Sequence, residues 1–231
     1  MFGNVSLRVR QGSQDRAGSV GASTYDRIKQ DIVFGRLTPG AKLKLDLMRR
    51  QYDVSVSTLR ETLARLASEG FVLAEEQRGF FVADVSGEDL TEVANLRILL
   101  ECAALRTAIR DGDAKWEADL VAAHHLLSRA EQKMLSGDES EREQWKRYDC
   151  AFHRALIAGC QSRNLMALYD ILYEKYLRYQ MLIPAARGQQ AVDEHRAIFD
   201  AALARDADAA GSLLETHITN GLTHTLDALA D

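Results

Sequence analysis

The sequence predicts a mostly α-helical chain in two parts: three helices closed by a β-hairpin, followed by an all-α antiparallel helical bundle. Three observations carry this reading. Residues 23–85 combine short amphipathic helical stretches with two strand-like apolar runs, whereas after Ser86 long Ala/Leu-rich helical patterns run to the end. Charge divides at the same place: residues 1–86 hold 13 Lys and Arg against 10 Asp and Glu, a net of +3, and the remaining 145 hold 16 against 24, a net of −8. With 231 residues, 46% of them hydrophobic, the chain can bury two modest cores.

Met1 to Ala22 carries Arg8, Arg10 and Arg16 among Gly and Ser. It lacks a continuous apolar core, so residues 1–22 are expected to form a flexible tail and not a secretory signal. Ser23-Thr24 then opens a helix with Tyr25, Ile28, Ile32 and Val33 at helical spacing, closed by Gly35. Leu37-Thr38-Pro39-Gly40 is a turn, because Pro presets φ and the following Gly tolerates positive φ. A short helix follows around Asp46 to Tyr52, and Asp53-Val54-Ser55 is a tight connection. From Ser57 to Glu69, Leu59, Leu63 and Leu66 make one apolar stripe, with Gly70 past the end. Either Ser57 caps this helix or Thr58 and Glu61 form a capping box. Phe71-Val72-Leu73-Ala74 and Phe80-Phe81-Val82, joined by residues 75–79, read as a hairpin. Three helices and a hairpin in this order make a winged helix-turn-helix, expected over residues 23–85.

In the second part, helices are expected near 87–110, 114–136, 140–159, 163–183, 189–205 and 207–229, over a domain spanning 86–231. Breaks fall at Asp111-Gly112-Asp113, Ser136-Gly137-Asp138, 159–162, 184–188 and Arg205-Asp206. Short links between amphipathic helices favour antiparallel packing. No run approaches the ~18 apolar residues of a membrane span. Cys102, Cys150 and Cys160 form no CxxC pair, which is expected of reduced thiols in a cytoplasmic protein. The chain has no nucleophile elbow, phosphate loop or dinucleotide fingerprint, so an enzyme is not expected.

A basic head on an acidic body suits a modular DNA binder, since phosphates attract one end and repel the other. Residues 54–66 are the informative stretch. With Leu59, Leu63 and Leu66 anchoring the helix, Ser55, Ser57, Thr58 and Arg60 crowd its N-terminal end. There, free N–H groups and the helix dipole favour a phosphate, and Arg60 can reach a guanine edge or a phosphate. An ordinary capped surface helix fits the same pattern.

The order and spacing of several residues resemble the GntR family of regulators. They are Gly35…Leu37-x-Pro39-Gly40-x-x-Leu43, Val54-Ser55-x-Ser57-x-Leu59-Arg60-Glu61-x-Leu63 and Leu66-x-x-Glu69-Gly70-Phe71-Val72. Residues 87–229 resemble the all-helical FCD effector domain of that family's fatty-acid-regulator branch, nearest to carbon-starvation and glutarate-type regulators. The resemblance implies a homodimer on double-stranded operator DNA, with the recognition helix in the major groove and the wing tip, Arg78-Gly79, in the minor groove. Lys42, Arg49, Arg50 and Arg65 complete the basic residues assigned to DNA. Val56 and Thr58 depart from the Arg and Pro of many relatives, so this chain's operator is expected to differ from theirs.

Asp149 and His153, four apart on a helix, share a face; His195 and His217 lie on two later helices. One carboxylate and three imidazoles suit Zn²⁺, Ni²⁺ or Mn²⁺, while as a bare pattern the Asp149–His153 spacing is more often a surface ion pair. The resemblance implies a metal at these four residues, because many FCD domains bind one through the same pattern. Arg97 and Glu101 match the family's Leu-Arg-x-x-Leu-Glu signature. Arg97 would take the carboxylate of a small-acid effector, or pair internally with Glu101. Asn164 and Arg178 are further effector candidates. The expected function is a repressor of carboxylic-acid catabolism, modulated by a small carboxylate at the metal. The alternatives are a regulator for which the ion is the signal and, at greater distance, a metal-dependent enzyme.

Overall fold

A computed structural model of the chain describes residues 14–183 and 187–230. It divides into two compact units between Asp84 and Val85. The first unit contains α1 (Gln14–Val33), β1 (Lys42–Leu43), α2 (Leu45–Tyr52), α3 (Val56–Ser68), β2 (Val72–Glu75) and β3 (Gly79–Val82). Helix α1 begins at Gln14, ahead of the expected Ser23-Thr24 start, so residues 14–22 are helical and not part of a tail. Once nucleated, a helix gains a hydrogen bond with each added residue, and no proline interrupts this stretch. Residues 1–13, where the rest of the expected tail falls, lie outside the described residues.

Ile28, Ile32, Leu59, Leu63, Leu66, Phe71 and Val82 form the core of this unit. They come from the apolar stripes of α1 and α3 and from the sheet beneath them. Tyr25 donates its hydroxyl proton to Glu69, and Lys29 Nζ lies 3.2 Å from the same carboxylate, tying α1 to the end of α3. The sheet is antiparallel in the order β1-β3-β2, with Val72 opposite Val82 and Glu75 opposite Gly79. Strand β1 was not expected, because two residues are too few to show alternation. At the hairpin, Gln77 and Gly79 take positive φ (60° and 96°), and for Gly79 this carries no steric cost.

Helix α2 ends at Asp53 in the left-handed conformation, whose N–H bonds to Arg49 O. Neither expected cap of α3 is used. Ser55 is the cap, its Oγ accepting from Thr58 N at 3.1 Å. Val56 is already helical, which puts Thr58, not an acid, at the third helical position that a capping box would need.

The second unit contains α4 (Gly87–Asp111), α5 (Ala114–Leu135), a 3-10 turn (Glu139–Glu141), α6 (Arg142–Ala158), α7 (Arg163–Leu182), α8 (Gln189–Leu203) and α9 (Ala207–Ala230). Helix α4 packs on α6, α7 and α9; α5 packs on α6 and α8; α8 packs on α9. Side chains pin the helix starts. Ser86 caps α4 through Asp89 N, while Tyr179 of α7 donates to Asp89 Oδ2 at 2.7 Å. Asp113 caps α5, whose Trp116 indole donates to Ala155 O at 2.9 Å. Gly112 lies so close to the end of α4 that a Cβ there would sit 2.4 Å from Ala108 O.

Burial pushes the thiols of Cys102 and Cys150 up to about 11 and about 12, with Glu101 and Asp149 respectively adding to the effect. Since the thiolate is the nucleophile, both should be alkylated at pH 8 at least ~100-fold more slowly in the native protein than after unfolding. Peptide mapping by mass spectrometry checks this; rapid native labelling of either residue would contradict the packing described.

Candidate metal centre and DNA-reading helix

Asp149 and His153 stand one turn apart on α6, and both are buried. Helices α8 and α9 bring buried His195 and His217 to the same point. The three imidazoles each offer a nitrogen, and these atoms lie within 4.8 Å of one another. Asp149 Oδ1 lies 3.2 Å from His195 Nε2 and 3.9 Å from His153 Nε2. The three predicted histidines therefore converge in the helical unit, with Asp149 beside His195 and His153.

The arrangement behind them decides what they can do. His153 Nδ1 faces Glu101 Oε2 at 3.2 Å, His195 Nδ1 faces Glu131 Oε1 at 2.6 Å, and His217 Nδ1 faces Glu194 Oε2 at 2.7 Å. His153 and His195 thus turn Nδ1 to a carboxylate and Nε2 toward the centre, while His217 Nδ1 lies between Glu194 and the guanidinium of Arg187, 3.2 Å away. This is the support that metal-binding histidines commonly receive, fixing tautomer and ring orientation. Buried His195 Nε2 points at Asp149 Oδ1, 3.2 Å away. Asp149 Oδ2 accepts from Tyr173 at 2.8 Å and lies 3.5 Å from Lys146 Nζ. One carboxylate oxygen and three imidazole nitrogens fit a divalent cation of the zinc type.

Electrostatics agree with ionised carboxylates around neutral rings. Burial opposes the charge on Asp149, yet Lys146, His195 and His153 hold it well below the usual carboxylate range. Burial lowers His153, and burial together with the neighbouring His195 and His153 takes His217 well below the ordinary histidine value. His195 goes the other way: burial opposes its protonation, but the paired carboxylates Asp149 and Glu131 raise it. A metal ion would take the place of that proton between His195 and Asp149.

The effector candidates are distributed differently. Arg97, 3% exposed, donates to Glu101 through Nε at 2.5 Å and Nη2 at 3.2 Å and stacks beside Tyr173 and Tyr176. The structure thus realises the internal pairing, and Arg97 supports His153 through Glu101. Asn164 is exposed at the start of α7, nine residues and so roughly 13 Å along the helix from Tyr173. Arg178 is buried on α7. A narrow cavity of ≈ 20 Å³ opens beside Asp149, His195 and His217, and none of Arg97, Asn164 and Arg178 lines it. The cations that do are Lys146 and Arg187. Arg187 Nη1 also donates to Glu194 at 2.6 Å.

In the first unit, Ser55, Ser57 and Arg60 are exposed at the start of α3, with Thr58 half-buried beside them. Ser55 Oγ lies 2.8 Å from Ser57 Oγ and 2.9 Å from Thr58 Oγ1, a cluster of hydroxyls around open backbone N–H groups. Arg49 and Arg50 are exposed in the last turn of α2. Arg78, its side chain 71% exposed, leaves the hairpin beside Gly79 and pairs with Glu75 at 2.5 Å. Lys42 and Arg78 flank Phe81 on the sheet. Arg65 is drawn aside, its guanidinium 3.8 Å from the centre of the Tyr25 ring and 3.4 Å from Glu69.

Comparison with known proteins accounts for both units. Residues 21–82 match the model of the bacterial regulatory proteins, gntR family, and residues 92–220 match the FCD domain. This chain belongs to the GntR family. It is 36% identical to the HTH-type transcriptional regulator BphR of Paraburkholderia xenovorans (strain LB400), over 87% of this chain and 83% of that one. Its identity to the HTH-type transcriptional repressor GlaR of Escherichia coli (strain K12) is 31%, covering 89% of this chain and 96% of the relative. The solved structure of E. coli McbR/YncC has the same fold, with a TM-score of 0.77 at 20% identity, covering 90% and 97% of the two chains.

This GntR-family protein is therefore a DNA-binding transcription regulator with an FCD domain, and the enzyme alternative falls away. Among its described residues no helix is long and apolar enough to cross a membrane. Sequence reasoning missed Glu131, Tyr173, Lys146 and Arg187. Only Lys146 carried a local signal, standing three residues before Asp149 on the same helix face. His224, which matched no motif, lines the cavity, whereas His124, equally without a motif, stacks on Phe199 at 3.9 Å.

The Arg97–Glu101 pair yields a stability test. Arg97→Ala leaves Glu101 buried without its guanidinium and should destabilise the helical unit by ~3–5 kcal/mol, whereas the double variant Arg97→Met with Glu101→Leu should cost much less. Urea denaturation measures both; an Arg97→Ala loss below ~1 kcal/mol would contradict the pairing.

Proposed function

We propose that this regulator is a repressor of a carboxylic-acid catabolic operon, and that a small carboxylate bound at a divalent ion in the helical domain modulates its grip on operator DNA. One observation carries the reading. Asp149, His153, His195 and His217 meet at one buried point, with every imidazole held from behind by a carboxylate. A buried cluster of this kind has little structural purpose without an ion. The oxygen and nitrogen donors, with no thiolate among them, suit Zn²⁺, Ni²⁺ or Mn²⁺. Bound there, the ion supplies a Lewis-acid point for the effector carboxylate. Lys146 and Arg187 add positive charge beside it.

On the DNA side, Ser55, Ser57, Thr58 and Arg60 read the major groove while Arg49, Arg50, Lys42 and Arg65 meet phosphates. Arg78 and Gly79 enter the minor groove. The regulator acts as a homodimer on double-stranded DNA; Leu96 and Leu99, exposed on one face of α4, are apolar surface that a second copy would cover. Because linkage is reciprocal, an acid that weakens DNA binding must bind the DNA-bound protein less well. A second reading, in which the ion itself is the signal, is favoured by the narrowness of the cavity.

Two experiments test the reading. The purified protein should hold close to one ion per chain after metal addition. Chelation should lower its melting temperature, because an ion at a thousandfold excess over Kd contributes about 4 kcal/mol to the folded state. His153→Ala should mimic chelation and His124→Ala should not; substoichiometric metal by elemental analysis ends the metal reading. Separately, Arg60→Ala should weaken binding to upstream DNA by ~1–3 kcal/mol in a titration, and a folded variant that binds like wild type removes α3 from base reading.

A further inference from the structure

The acid that a capping box at α3 would have used has no such role in the fold. Glu61 is the sixth residue of α3, whose start is capped by Ser55. It therefore lies beyond the first turn, where free N–H groups and the helix dipole would favour a carboxylate. Its side chain is exposed. Arg65, four residues on, stands where a helical ion-pair partner belongs. Its guanidinium is instead held by Glu69 at 3.4 Å and by the Tyr25 ring. Among the described residues Glu61 makes no hydrogen bond or ion pair.

The place of this carboxylate on the helix gives it a use. Leu59, Leu63 and Leu66 face the core, while Ser57, Glu61 and Ala64 follow one another along the exposed face at helical spacing. That face starts in the hydroxyl cluster and adjoins Arg60. Against DNA, an unpaired carboxylate is repelled by phosphates and weakens binding to duplex in general. The major groove compensates it at two base edges only. Cytosine N4 and adenine N6 are donors there, whereas guanine N7 and O6 and thymine O4 are acceptors that repel it. Adenine N6 stands beside the N7 acceptor, and cytosine carries no acceptor of its own on that edge. A carboxylate, which only accepts, is therefore matched best by cytosine.

We propose that Glu61 is a specificity-determining residue that accepts from the N4 amino group of a cytosine in the operator. The inference rests on α3 lying in the major groove, as proposed above, and adds selection by rejection. The carboxylate lowers affinity for duplex that lacks the cytosine and recovers it where the cytosine is present.

Selection from random duplex DNA by the full-length protein, followed by sequencing, tests this without a known operator. Wild type should select a motif with one position held by cytosine, and changing that base pair should weaken binding at least about fivefold. Glu61→Ala should lose the preference at that position alone, keep the rest of the motif, and bind unrelated duplex at least as tightly as wild type. Glu61→Gln, whose amide both donates and accepts, should shift the preference toward adenine. If Glu61→Ala selects the wild-type motif unchanged, or loses affinity equally for every duplex, Glu61 reads no base. Arg60→Ala separates that result from failure of the underlying placement. A motif altered by Arg60→Ala but not by Glu61→Ala overturns the cytosine contact alone, whereas a motif altered by neither removes α3 from the groove as well.

Discussion

Three imidazoles buried at one point, each pinned through Nδ1 by a carboxylate, are the constraint around which the helical domain is arranged. Burying Glu101, Glu131 and Asp149 near one another, with half-buried Glu194 beside them, is costly unless the charges are compensated. Arg97 answers Glu101, Arg187 answers Glu194, Lys146 with Tyr173 answers Asp149, and the imidazole of His195 faces Glu131. The result is one polar network to which every helix from α4 to α9 contributes. A shift of any of them breaks a buried contact, so the network couples the positions of the helices as tightly as apolar packing does.

That coupling suits the domain to regulation. A ligand can move an equilibrium only by binding one arrangement better than another. Here the groups that would feel an added anion, Asp149 and His195 on one side and Arg187 on the other, sit on α6, on α8 and in the turn before α8. Helix α6 packs on α5 and α7, and α8 on α5 and α9, so these elements link the centre to the rest of the bundle.

The winged helix follows different physics. Its apolar core orients α3, and its functional surface is whatever that core leaves outside. Ser55 shows how the two meet. It caps the helix through Thr58 N and gathers the hydroxyls of Ser57 and Thr58 around the exposed helix start. Arg60 stands one turn on, exposed and without an ion pair among the described residues, whereas Arg65 is held by Tyr25 and Glu69. Of two arginines on the same helix, Arg60 is thus free to extend toward DNA at little cost.

The two-part organisation, the order of helices and hairpin, and the apolar faces were all legible in the sequence, because they depend on local periodicity and on Gly and Pro breaks. Asp149 and His153 were legible as a pair on one face, and resemblance added His195 and His217. What stands behind and beside them emerged only on folding. Glu131 lies 64 positions from His195 and Glu101 lies 52 from His153, distances along the chain over which no periodicity operates. For Arg97 the sequence allowed an effector carboxylate or an internal pair, and the folded bundle sets its guanidinium on Glu101.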